Sequence, residues 1–270
     1  MTDSRSPLVE QSLAKPDIHQ QWVTAFHSPA MDKFFENAFD YLAYILNAPQ
    51  NSTILDAGCG NCAHAIRLAR RGFFVEAVDF SESVLKAAEA NVKANGLEDR
   101  IRIRQGNIRA LPFKDETFDY IVCWGVLMHI PDIEMALSEL TRILTPGGTL
   151  IISENNLHCL QSIILRGLKR LRGKEPNGKK TAAGIEHWKD TSVGPLMTRE
   201  TNIRWLIERF ERRGLTVKRR VAGQFTWLYV KVSSPLLKHL IHGFNNFWFK
   251  YIKMPHLAYG NIVILQKEKT

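Results

Sequence analysis

The residues best suited to chemistry lie in the run Ile54-Leu55-Asp56-Ala57-Gly58-Cys59-Gly60-Asn61-Cys62. Glycines at the junction of a strand and a helix let backbone N–H groups approach a ligand closely. Asp56 stands two residues before the first glycine. A second acid, Asp79, closes the next apolar run, 19 residues after Gly60. In doubly wound sheets a carboxylate about 20 residues beyond such a turn accepts hydrogen bonds from ribose hydroxyls. The spacing therefore points to a nucleoside-bearing cofactor. A dinucleotide fingerprint would need a third glycine where Ala63 stands, and the Asp56 carboxylate would oppose a pyrophosphate. It suits an ammonium group, which S-adenosylmethionine presents.

His129 is the candidate general base. It follows an apolar run in Trp124-Gly125-Val126-Leu127-Met128-His129-Ile130-Pro131-Asp132, near where ligands bind such sheets. A turn-forming role for the same histidine is the alternative. Cys59 and Cys62 form a C-x-x-C, but no second Cys/His pair follows at a zinc-finger spacing, so neither metal nor redox use is expected.

These residues need a frame of alternating strands and helices. Residues 52–58, 73–80, 101–105, 118–125 and 149–154 read as strands, with helices over 62–71, from Ser81 to about Asn95, and from an Asp132 cap to Leu144. Short loops between them predict a parallel sheet covered on both faces. After Glu154 the pattern breaks. A basic helical stretch and a Gly/Lys/Thr-rich loop are expected over 155–198. A helix over 199–213 and a strand over 215–221 follow, then a second irregular stretch at 224–257 and a last strand at 259–267. The expected organisation is an N-terminal helical cap (1–49) on a single α/β domain (50–270) carrying insertions at 155–198 and 224–257.

The pieces LDAGCGNC, VEAVDFSESVL, IRQGNIRALPFKDETFDYIVC, WGVLMHIPD and LTPGGTLIISE, in this order, resemble the class I S-adenosylmethionine-dependent methyltransferases, in the small-molecule branch that includes ubiquinone and menaquinone biosynthesis. The likeness covers roughly residues 50–154. It implies a Rossmann-like seven-stranded sheet with an antiparallel last strand. It also implies that Asp56 bears on the methionine ammonium and that Gly58 and Gly60 line the cofactor. Asp79 would take the ribose diol and Phe80 would pack on adenine. Asn107, through its side-chain carbonyl, and Ile108, through its backbone, would read the adenine edge. Trp124 joins this set, and S-adenosylhomocysteine would be the product. The family's third glycine is Cys62 here. Relatives that use a divalent metal place a Glu where Met128 stands, so no metal is expected.

Apolar residues make up 45% of the 270, and charged residues 23%, which excludes a disordered chain, a fibre or a coiled-coil rod. Residues 1–150 carry 14 Lys and Arg against 19 Asp and Glu, whereas 151–270 carry 22 against 8. A cationic half favours a phosphate-bearing substrate, an anionic membrane or nucleic acid as neighbour. The preferred acceptor is a small hydrophobic or lipid-linked molecule. A polar natural product or sugar comes second and RNA third, since no RNA-binding module is visible. Residues 160–174 and 236–253 read as basic amphipathic helices whose apolar stripes close a lid, meet a second subunit in a homodimer or lie on a membrane. The first residues lack an apolar leader, so a cytoplasmic protein is expected, with peripheral contact at the inner membrane surface left open.

Overall fold

The structure is a computed structural model that describes residues 6–15, 28–173, 178–192 and 194–269. Two helices, α1 (Ser6–Leu13) and α2 (Pro29–Leu46), precede the sheet. Residues 1–5 and 16–27 of the expected cap lie outside the described residues. The apolar runs form β1 (Thr53–Ala57), β2 (Phe74–Asp79), β3 (Ile101–Gln105), β4 (Phe118–Trp124) and β5 (Leu144–Asn155). Between them lie α3 (Ala63–Ala69), α4 (Glu82–Ala94) and α5 (Ile133–Ile143). Helix α7 (Ile203–Glu211) leads to β9 (Leu215–Ala222), and β10 (Gly260–Lys267) closes the sheet.

The seven strands take the order β3-β2-β1-β4-β5-β10-β9. Strands β1 to β5 pair parallel, and β10 runs antiparallel to both β5 and β9. The sheet buries side chains on both faces. One face packs Phe39, Leu42, Leu68 and Val92 from α2, α3 and α4. The other packs Leu137, Leu140, Leu206 and Phe210 from α5 and α7. Burial on both faces explains why the central strands read as continuous apolar runs.

Local sequence explains most boundaries. The Ser81 hydroxyl accepts the Val84 N–H at 3.4 Å and opens α4. Helix α5 does begin after Asp132, but that carboxylate makes no capping hydrogen bond. The Pro146-Gly147-Gly148 stretch lies inside β5 rather than ahead of it, and the β4–β5 register slips there, pairing Phe118 with Leu144 and Tyr120 with Thr149. Helix α2 is clamped to α3 by two arginines. Arg67 reaches Asp32 at 2.8 Å and Glu36 at 3.0 Å, and Arg71 reaches Glu36 at 2.8 Å and Asp40 at 2.7 Å.

The stretch after β5 begins with helix α6 (Leu160–Leu171). The loop expected after it is instead an antiparallel sheet of β6 (Lys179–Thr181), β7 (Gly184–Thr191) and β8 (Gly194–Thr201), in the order β6-β7-β8. Residues 199–201, expected to open a helix, belong to β8. Gly and Lys are poor strand formers, so this sheet is set by what packs on it. Val9 and Leu13 of α1 bury against Met197 of β8. Helix α8 (Pro235–Phe247) and a π-turn at Trp248–Ile252 lie between β9 and β10. No helix among the described residues is long and apolar enough to cross a membrane.

Candidate active site

A largely apolar cavity of about 650 Å³ opens at the C-terminal ends of the central strands. That is where a doubly wound sheet binds its ligand, at the reversal of strand order between β1 and β4. Gly58, Gly60, Asp79, Phe80, Ile108, Trp124 and His129 all line this one cavity. Asp56 and Asn107 do not.

On the β1–β2 side the wall is backbone. The Gly58 and Cys59 N–H groups both donate to the Val78 carbonyl, at 2.8 and 2.9 Å. The Asp79 carboxylate accepts the Gly60 and Ser81 N–H groups, each at 3.0 Å. Gly58 has φ +83°, and a Cβ there would meet the Val126 side chain at 2.5 Å. Gly58 is therefore required by a protein neighbour as well as by the cavity. A Cβ on Gly60 would meet open space. Cys62 keeps the left-handed backbone that the family's glycine would supply, with φ +62° at the start of α3.

Asp56 is buried behind this wall, and its Oδ2 has no hydrogen-bond partner. Burial first, and then the Asp79 charge, push its pKa up to about 7, against a hydrogen bond from the Ala65 N–H. Asn107 is engaged by protein neighbours. Its carbonyl oxygen accepts the Arg109 N–H at 2.9 Å, and its amide donates to Glu10 of α1 at 3.3 Å. The short Asn side chain closes a local turn on its own backbone. Phe80 lines the cavity and also packs against the Val9, Leu13 and Met197 cluster. Trp124 packs against Phe39 and His64, with ring centroids 5.2 and 5.5 Å apart.

His129 ends a short 3₁₀ turn, Leu127–His129. Its Nδ1 lies 3.1 Å from the Met197 carbonyl, a pairing that places the proton on Nδ1 of the neutral ring. The buried Arg199 of β8 holds the same turn. It donates to the carbonyls of Leu127, Ile130 and Pro131 at 3.0–3.2 Å and pairs with Glu186 at 3.0 Å. The inserted sheet thus fixes the histidine. Cys59 and Cys62 are free and buried, and the hydrogen bond between them, with burial, raises the Cys59 thiol well above its ordinary range. Among the described residues no cluster of three His, Cys, Asp or Glu is placed to hold a metal ion.

Residues 55–152 match the family described as a methyltransferase domain. That match spans the central strands and the glycine turn. An uncharacterized protein of Haemophilus influenzae is 30% identical over 142 residues, 52% of this chain and 57% of that protein. The demethylmenaquinone methyltransferase of Bacillus cytotoxicus is 37% identical over 115 residues, 42% of this chain and 48% of that enzyme. The chain thus spans about half the length of the curated relatives it matches. The crystal structure of the PH0226 protein from Pyrococcus horikoshii shares the fold at 16% identity, with a TM-score of 0.64 over 94% of this chain and all of that one.

Sequence reading assigned no role to several other residues at this cavity. Glu154, at the end of β5, is buried with Oε1 unpartnered, and its Oε2 accepts the Thr201 hydroxyl at 3.2 Å. Burial raises its pKa to about 8, against the Arg199 charge, the Thr201 hydroxyl and nearby backbone N–H groups. Its signal was present, since an acid ends a central strand on the ligand side. Glu200 sits between Arg166 at 2.8 Å and His187 at 3.0 Å. Trp227, Tyr229 and Tyr259 complete the β5–β10 side. These come from the insertions and the last strand, beyond the reach of any local pattern.

Proposed function

We propose that the protein transfers a methyl group from S-adenosylmethionine to a small hydrophobic acceptor of quinone-like or lipid-linked type. The observation that carries this reading is one continuous cavity. It joins a glycine turn with a ribose-type carboxylate to a wall rich in Met31, Phe34, Trp227, Tyr229 and Tyr259. The similarity to demethylmenaquinone methyltransferases supports a quinone-type acceptor.

The residues fit the cofactor. Gly60 leaves open space where a side chain would intrude, and Asp79 presents a buried carboxylate beside it. Asp56 has an unpartnered oxygen that a nearby cation would stabilise. Gly58, Gly60, Asp79, Phe80 and Ile108 would hold the group. When bound it supplies a sulfonium methyl, displaced in line. Asp56 tethers the first turn of α3 through Ala65 and acts on the ligand through that turn. The aromatic wall excludes water and orients the acceptor. His129, with Nδ1–H committed to Met197, carries its lone pair on Nε2 and accepts the acceptor's proton. Glu154, titrating near neutrality, steadies charge on the acceptor side.

Incubating the protein with methyl-labelled cofactor and cell extract, followed by mass spectrometry, should reveal an apolar molecule that gains one methyl. Label found only in a sugar or in RNA would reject the acceptor class. His129→Ala should lower turnover by about 10²–10⁴ with cofactor affinity retained. A loss under about threefold across the pH range would return His129 to a turn-forming role.

A further inference from the structure

The two inserted helices are built inside out. Helix α6 buries Gln161 and Ser162, and α8 buries His242 and Asn245. Both helices are anchored through Thr226. Its hydroxyl bonds Gln161 Oε1, while its N–H and carbonyl bond the Asn245 amide at 3.0 and 2.9 Å. The His242 ring packs on Tyr229, with centroids 4.5 Å apart. With the polar residues used inward, the apolar ones face solvent. Leu240 is 59% exposed, Phe247 50% and Tyr251 65%, and Leu237, Phe244, Ile252 and Met254 are exposed beside them. On α6, Ile163, Ile164, Leu168 and Leu171 are exposed too, and Leu228 and Val230 of the second insertion add to them. None of these side chains lines the cavity. Of the lid, second-subunit and membrane roles open to these stripes, the last two call for an outward apolar face.

Charge identifies the occupant. No acidic residue occurs between Glu211 and Glu268, a stretch holding ten Lys and Arg. Lys169, Arg170, Arg172, Lys231, Lys238 and Lys250 are exposed on or beside the two helices. Exposed aromatic and aliphatic side chains flanked by cations match a bilayer interface with anionic head groups. A second copy of the same face would instead bring like charges together. We propose that α6, α8 and the turn after α8 dock on an anionic lipid bilayer, lying in its interface beside the cavity wall formed by Trp227 and Tyr229.

This surface stands apart from the methyl-transfer reading, because docking needs neither cofactor nor acceptor. The test is flotation of the full chain with vesicles of phosphatidylcholine, alone or mixed in equal parts with phosphatidylglycerol. The wild type should float with the mixed vesicles at low salt and at least tenfold less with phosphatidylcholine alone. Phe244→Glu/Phe247→Glu should lose at least tenfold in flotation while binding S-adenosylmethionine as before. Flotation of that variant equal to wild type overturns the proposal, as does no wild-type flotation at low salt. A concentration-dependent dimer in sedimentation that the same variant abolishes, without flotation, assigns the face to a second copy instead and also overturns it.

Discussion

Helix α4 buries Val84, Leu85, Ala88 and Val92, and α5 buries Ile133, Leu137, Leu140 and Ile143. On the other side of the cavity, α6 and α8 bury a glutamine, a serine, a histidine and an asparagine, and leave leucines and phenylalanines in solvent. All four helices are amphipathic at a period of 3.6 residues. The period tells which residues share a face. It does not tell which way the face points. In the first pair the neighbouring sheet offers an apolar layer. In the second the support includes Thr226, with a buried hydroxyl, N–H and carbonyl to satisfy, and polar side chains meet that demand.

The sharpest break on the cofactor side should come from Gly58→Val. It combines a left-handed backbone with a Cβ 2.5 Å from Val126, and should cost about 2–5 kcal/mol of stability. Urea unfolding that matches wild type would show that the turn can relax. Asp79→Ala removes the acceptor for the Gly60 and Ser81 N–H groups and should weaken S-adenosylmethionine binding by about 1–3 kcal/mol in calorimetry. Unchanged affinity would reject its role.

Each side also holds a buried acid with a raised pKa, and pH separates the two. Asp56 and Glu154 have pKa values of about 7 and about 8, both raised above their unfolded values. Between roughly pH 4 and 8 the folded protein holds protons that the unfolded chain has released, so stability falls as pH rises through that window. Without cofactor, stability should drop by about 3–4 kcal/mol from pH 6 to pH 8. Glu154→Gln should remove the acceptor-side share. Saturating S-adenosylmethionine should remove the Asp56 share. Thermal melts at the two pH values read both, and a flat profile in the wild type would count against the burial described.

The smallest effects test the inverted helix. Asn245→Ala leaves the buried Thr226 N–H and carbonyl unpaired and should cost about 1–3 kcal/mol. Phe247→Ser, on the outer face, should change stability by less than about 0.5 kcal/mol. A helix facing the usual way would give the reverse order in the same unfolding experiment.

The sequence by itself determined the strand–helix alternation from Thr53 to Glu154, the glycine turn and the acid at the end of β2. These features are local: burial on both faces makes the strands apolar, and the turn needs left-handed backbone. That is why Gly58, Gly60, Asp79, Phe80, Ile108, Trp124 and His129 could be named and are found around one cavity. Tertiary structure decided the rest. Asn107 meets Arg109 next to it and Glu10 nearly a hundred residues away in the chain, and no local pattern shows the second contact. The stretch rich in Gly, Lys and Thr became a sheet because α1 and the His129 turn supply its partners. The direction of α6 and α8 was settled by their neighbours, Thr226 for both helices and the Tyr229 ring and Asn37 for α8. Period and composition fix a helix and its stripe, but only the neighbour's polarity fixes which side is turned inward.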